Sequence, residues 1–269
     1  MRPPALAAWT ALLACVLGPP AGAQGLNFAT GDQPLEISAD NGIEWQQESL
    51  VFLARGNAVA VRGQVRVRAD VLRAYYRITP DGETSIIRLD AEGHVRISSP
   101  GETAYGERGV YDMENAILVL SGKGVRLVTE SDVITAERQL EYWEKKQMVV
   151  ARGNAFATRG DKRLGAEILS AYFRKDKNGK SRIYRVEAFD GVKVVTANDT
   201  ATGDRGVYNV ETGIATLTGS VKITRGPNQL TGCVAEVNMN TNVSRIFGCG
   251  PRATGDGRVH GLLRPKKKN

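Results

Sequence analysis

The ten residues Ala54-Arg-Gly-Asn-Ala-Val-Ala-Val-Arg-Gly63 return ninety-seven positions later as Ala151-Arg-Gly-Asn-Ala-Phe-Ala-Thr-Arg-Gly160, with eight of ten identical. The same offset relates Asp70–Arg77 to Glu167–Arg174 and Gly106–Asp112 to Gly203–Asn209. A duplication this long confines the chain to architectures that grow by adding copies. Each copy also carries a shorter beat. A small residue followed by an acid opens a segment: Ala39-Asp40, Ala69-Asp70, Gly106-Glu107, Ala136-Glu137, Ala166-Glu167, Gly203-Asp204 and Ala235-Glu236. A glycine closes the next segment: Gly56, Gly93, Gly122, Gly153, Gly191, Gly219 and Gly248. Units so short cannot bury an apolar face alone and must stack on neighbours.

Between these markers the pattern is strand. Gln64–Arg68, Gly93–Ile97, Gly124–Leu127 and Val221–Thr224 alternate apolar with polar residues. Period two with β-branched residues marks strands with one dry and one wet face, which suits antiparallel sheets. No convincing amphipathic helix is present after the first residues. Glu137–Met148 comes nearest, but it aligns by the repeat with Asp40–Gln47 and reads as strand. Pro80-Asp-Gly82 and Lys177-Asn-Gly179 occupy matching places and predict protruding hairpin loops.

Composition excludes little beyond disorder. Apolar residues make up 42% and charged residues 24%, a globular balance. The net charge of +7 suits an anionic partner. The basic residues are scattered along the chain with no evident cluster interleaved with aromatics, which argues against nucleic acid as the partner. Solvated strand faces account for the same charges.

The ends read differently. Met1-Arg2, the apolar run 5–17 and the small-residue site Ala21-Gly-Ala23 predict a signal peptide over 1–23 and hence a periplasmic location. Leu12-Leu-Ala-Cys15 also resembles a lipidation box. Residues 24–36 read as a lead-in. The repeat array spans 37–250, as copies 37–133 and 134–230 and a terminal hairpin 231–250. A basic flexible tail, 251–269, follows.

Catalytic signals are absent. The two histidines, His94 and His260, have no nucleophile motif beside them, and no ligand spacing for a metal or other cofactor is seen. The repeated acids recur because the unit recurs. Cys233 and Cys249 stand symmetrically about Thr241, so a hairpin folded there would oppose them directly and allow a disulfide. Pairing of one cysteine with another protein is the alternative.

The small-acid, strand, turn, strand, Gly-x-Val unit resembles the OstA-like domain of lipopolysaccharide-transport proteins, the LptA family. Ala39-Asp40, Gly56-Asn-Ala-Val59, Ala69-Asp70, Gly122-Lys-Gly-Val125, Ala136-Glu137 and Gly153-Asn-Ala-Phe156 carry the likeness. The resemblance implies an all-β fold, an open V-shaped antiparallel β-jelly roll. It implies a non-enzymatic periplasmic bridge whose apolar groove shields the acyl chains of lipopolysaccharide (lipid A). It implies end-to-end stacking of copies and docking to OstA-like domains of inner-membrane and outer-membrane partners. By alternation the groove face is expected to hold Val59, Val61, Val65, Val67, Leu89, Val95, Ile97, Leu118, Leu120, Val125, Leu127, Phe156, Leu217, Val221 and Ile223. A structural β-stack and a carbohydrate-active β-solenoid enzyme remain the alternatives, to be told apart by an open apolar groove, a closed core or a wet cleft with paired carboxylates.

Overall fold

A computed structural model describes residues 33–175, 177, 181–238, 240–241, 243–249 and 257–264. The chain begins with β1 (Glu36–Ser38), β2 (Ile43–Gln46), β3 (Val51–Arg62), β4 (Val65–Ile78), β5 (Thr84–Ser99) and β6 (Glu102–Asp112). It continues through β7 (Ile117–Ser121), β8 (Arg126–Thr129), β9 (Val133–Thr135) and β10 (Gln139–Trp143). Then come β11 (Met148–Arg159), β12 (Lys162–Lys175), β13 (Ser181–Val195), β14 (Asp199–Asn209), β15 (Ile214–Arg225) and β16 (Asn228–Asn238). The last are β17 (Val243–Phe247) and β18 (His260–Leu262). All join one antiparallel sheet in which long strands pair with their chain neighbours. The expected strand over Glu137–Met148 is β10 followed by a single 3-10 turn at Glu144–Lys146.

Every long strand bends at the beat seen in the sequence, and β5 and β13 carry a second bulge, at Ile87 and Tyr184. On β3, residues 56 and 57 are skipped in the pairing with β4, while β4 skips residue 70 alone. Two residues against one is a β-bulge, which turns the strand and sharpens its twist. Glycine begins the long side because the backbone is left-handed there, as at Gly93 (φ 76°), and because a Cβ on Gly93 would run into the Asp70 carboxylate. The second bulge residue is also left-handed: Asn57, His94, Asn154 or Ser220. On the short side stand Asp70, Glu107, Glu167 and Asp204. Asn57 Nδ2 donates to Asp40 at 2.7 Å, Asn154 Nδ2 to Glu137 at 2.8 Å, and His94 Nδ1 lies 2.9 Å from Asp70. The recurring acids therefore fasten the corners of the fold.

The corners divide the sheet into two limbs. The first holds β2, β7, β10, β17 and the outer part of each long strand beyond its bulge; the second holds β1, β8, β9, β18 and the rest. Their inner faces meet in one apolar cluster, giving an antiparallel β-jelly roll. One ladder runs across the first limb in direct register: Ala54, Leu72, Ala91, Gly109, Leu120, Leu140, Ala151, Leu169, Ala188, Gly206, Leu217, Ala235 and Ile246. Small residues alternate with leucines, so the facing limb can interdigitate. Leu72, Leu120 and Leu140 are wholly buried, each contributing roughly 2–3 kcal/mol of apolar burial.

Two sequence expectations change here. The last corner acid is not Glu236, which faces Thr216 and Arg245 within regular ladders; the short side of the final bulge is Cys233, opposite Gly219 and Ser220. The stretch expected as flexible tail returns to the sheet, where β18 pairs with Gln229–Thr231 of β16. The hairpin at Thr79–Glu83 is as expected, with Gly82 left-handed. Its counterpart at 177–179, the signal peptide with Cys15, and most of the lead-in and tail fall outside the described residues.

Candidate functional site

The concave surface between the limbs is almost wholly hydrocarbon. In the first copy it is shut. Val65, Val67 and Ile97 from the second limb meet Leu89, Ala91, Gly109, Tyr111 and Leu118 from the first around a narrow apolar cleft of about 20 Å³, room for about one water molecule. The inner row of the second limb here is Ala60, Val67, Ile97, Ala104, Leu127 and Ile134, and the first five are nearly inaccessible.

In the second copy the same row continues as Ala157, Leu164, Val194, Ala201, Ile223 and Leu230. The first five are half-buried and Leu230 is 37% exposed. Opposite them, Phe173, Tyr208 and Ala215 are half-buried where Tyr76, Tyr111 and Leu118 are sealed in the first copy. The groove is a continuous apolar trough, closed at one end of the array and parted at the other.

Twelve of the fifteen residues expected on the groove face point inward: Val65, Val67, Leu89, Val95, Ile97, Leu118, Leu120, Val125, Leu127, Leu217 and Val221 are buried, and Ile223 is half-buried against the same cluster. Val59, Val61 and Phe156 point outward. Val59 pairs with Arg68 and Val61 with Arg66, both exposed, while Ala58 and Ala60 face in. Phe156 lies under the Arg163 guanidinium at 3.8 Å. One pattern explains all three: the inward positions keep their parity across the bulge as Ala54, Ala58 and Ala60 on β3 and Ala151, Ala155 and Ala157 on β11, so the larger Val59, Val61 and Phe156 between them face out. Leu164, Val194, Ala201 and Leu230 belong to the groove and were missed. The repeat offset from Val67, Ile97 and Ala104 leads to Leu164, Val194 and Ala201.

Polar groups gather at the mouth of the closed copy. Arg62 Nη1 reaches from the second limb to Met113 Sδ of the first at 3.8 Å. The buried Tyr111 hydroxyl donates to Glu144 Oε2 at 2.6 Å. Burial pushes Glu102 up to about 7, partly opposed by the Ser99 hydroxyl that donates to it at 3.1 Å. Tyr142 is raised by burial and by the carboxylates of Glu144 and Glu102, so these groups face one another across the mouth. Among the described residues no three metal-ligating side chains cluster.

The final corner carries the Cys233–Cys249 disulfide, with Cα atoms 4.9 Å apart. The pairing is as expected but the register is not. Asn238 pairs with Val243, so the loop holds four residues and Cys233 falls opposite Gly248. Asn238 Oδ1 accepts from the backbone N–H of Asn240 and Thr241 and sets that turn. Cys249 stands where Asn154 stands one repeat earlier, so a covalent bond replaces the Asn154–Glu137 hydrogen bond.

Residues 36–142 and 133–243 each match the family described as LptA/(LptD N-terminal domain) LPS transport protein. An uncharacterized protein of Rhizobium meliloti (strain 1021) is 30% identical over 108 residues, 39% of this chain; the match spans 57% of that relative's length. Among solved structures, LptH, the LptA homologous periplasmic component of the lipopolysaccharide transport device of Pseudomonas aeruginosa, aligns with a TM-score of 0.42 at 17% identity, over 50% of this chain and 95% of its own.

Proposed function

Because this chain belongs to the LptA/(LptD N-terminal domain) family of LPS transport proteins, we propose that it is a periplasmic, non-catalytic carrier that holds the acyl chains of lipid A between its limbs and bridges inner and outer membranes. The observation that carries this reading is the parted apolar row of Leu164, Val194, Ala201, Ile223 and Leu230, continuous with the sealed row of the first copy. Acyl chains entering such a trough gain ~0.8 kcal/mol per buried CH₂. The small side chain at Ala215 leaves room that Leu118 fills in the first copy. The sugars face water beyond the rims.

The two ends of the sheet support docking. β2 presents Ile43 and Trp45, 46% and 58% exposed, on the first row. β17 and β18 present Val243, Phe247 and Leu262 on the last, 48–51% exposed. Open edges with apolar side chains are suited to strand addition, either by another copy or by the matching domains of membrane partners.

A photo-crosslinking amino acid at Val194 or Ile223 should capture lipopolysaccharide in cells, and one at the outward Val61 should not. Equal capture at all three, or none, would sink the reading. The sealed first copy favours a second reading, a load-carrying β-scaffold without cargo, and that is what an absence of cross-links at both inner sites would indicate.

A further inference from the structure

The outer faces of the two limbs are charged in different ways. On the first limb arginines sit beside carboxylates: Arg73 with Glu92 at 2.9 Å, Arg88 with Asp90 at 2.6 Å, Arg185 with Glu187 at 2.6 Å. On the second limb one row across the strands holds Arg68, Arg96, Arg126, Lys193 and Lys222, all exposed. Direct register joins them: Arg68 opposes Arg96, Arg96 opposes Tyr105, and Tyr105 opposes Arg126. Farther along, Lys193 opposes Thr202 and Thr202 opposes Lys222. Among the described residues no carboxylate forms an ion pair with any of the five.

Like charges directly opposed across strands are unfavourable, so Arg68 against Arg96 is not explained by stability of the fold. Rows lie ~4.8 Å apart, which makes the stripe tens of ångströms long. Tyr105 is held between Arg96 and Arg126, whose guanidinium carbons lie 5.8 and 4.0 Å from its ring centre. Phe156 and Arg163 stack on the same face. The corner acids stand two residues farther along their strands, about 7 Å away at the edge of the fold. The flat of the second limb, and not that edge, is therefore the positive surface. Cations spread over many strands, with aromatic rings among them, match an extended anionic surface, with the rings at the headgroup level. A pocket-bound anion would need convergent donors, and this row diverges over many strands.

We propose that the outer face of the second limb is a membrane-docking surface that lies flat on anionic phospholipid headgroups, leaving the groove and both sheet ends free. It does not rest on the acyl-chain reading, which concerns the opposite face.

The test is cosedimentation of the full chain with vesicles of phosphatidylglycerol and phosphatidylcholine in equal amounts, against phosphatidylcholine alone. Binding is expected only to the anionic vesicles and should fall steeply between low salt and about 0.5 M salt, as screening of exposed charges requires. R68E/R96E/R126E should reduce it at least about tenfold, since each cation near an anionic surface contributes appreciably. R55E/R77E/R174E, with the same charge change on the first limb, should keep it within about threefold. If the first triple variant does not fold, K193E/K222E on the same row gives the same readout, with a smaller loss. Equal loss from both limbs' variants, or salt-independent binding to neutral vesicles, would overturn the proposal. So would capture of a short DNA duplex through these residues without binding to the anionic vesicles, which would assign the stripe to a soluble polyanion.

Discussion

The two copies share a corner design and a strand order, yet one interior is sealed and the other parted. Ile97 is 3% exposed and its counterpart Val194 is half-buried; Ala104 is wholly buried and Ala201 is not. Two differences account for this. Side chains shrink, from Leu118 to Ala215 and Ile97 to Val194. The rows of the second copy also flank the first and cover its mouth with Tyr142 and Glu144, whereas among the described residues β17 and β18 alone follow the second. A repeat thus yields a stable end and an accommodating end from one pattern.

The largest expected effect tests that division directly. Leu72→Ala removes a wholly buried side chain from a closed interior and should cost about 3–4 kcal/mol by chemical denaturation. Val194→Ala in the parted copy should cost about 1 kcal/mol or less while reducing lipopolysaccharide capture. Equal losses of stability at the two sites would mean that the copies are packed alike.

The disulfide comes next. Two corners rest on an amide–carboxylate hydrogen bond, Asn57–Asp40 and Asn154–Glu137, and another on His94–Asp70; the one at Cys233 is covalent. Cys233→Ser with Cys249→Ser should lower stability by about 3 kcal/mol, the chain-entropy value for a loop near its sequence separation of 16. Hydrogen exchange should quicken in β16 to β18 and not in the first copy. Uniform quickening would show that the bond holds more than the last rows.

How much of this could be read beforehand depends on which residues carry the signal. The duplication, the strand alternation and the hairpin at Pro80-Asp-Gly82 are local, and they led to the right architecture and to the inward placement of Val67, Ile97 and Leu120. Val59, Val61 and Phe156 were placed on the wrong face because the more apolar residue of each alternating pair was taken as the inward one, whereas on β3 and β11 the inward positions hold the small Ala58, Ala60, Ala155 and Ala157. The role of the acids needed the third dimension, because Asp70 meets His94 only across a corner. The basic stripe was hidden for the same reason. Arg68, Arg96 and Arg126 are far apart in the chain and become neighbours only when strands pair, so a search for clustered charge passed over them.

The smallest effect concerns the mouth, where the two copies respond to pH with opposite sign. Glu102 and Asp199 hold equivalent places, each beside a hydroxyl residue, Ser99 or Thr196. Asp199 is directly opposed to Arg225, which donates to it through two nitrogens at 2.6 Å, while Glu102 is opposed to Thr129. The Arg225 hydrogen bonds hold Asp199 below its usual range. That contribution is present above its unfolded pKa and is lost as pH falls through the folded one. Glu102 is the reverse. Burial raises it from 4.5 to about 7, so folding favours its neutral form. The benefit is complete below about 4.5 and is lost as pH rises through about 7. Allowing for partial exposure, the penalty at pH 8 is on the order of 2 kcal/mol. Glu102→Gln should therefore stabilise the protein at pH 8, change little at pH 4, and flatten its stability profile between. Asp199→Asn should do nothing at pH 8 beyond the loss of one exposed ion pair. Chemical denaturation across that pH range reads both, and a Glu102→Gln profile parallel to the wild type would show that the mouth of the first copy is wet and that its carboxylate ionises as it does in water.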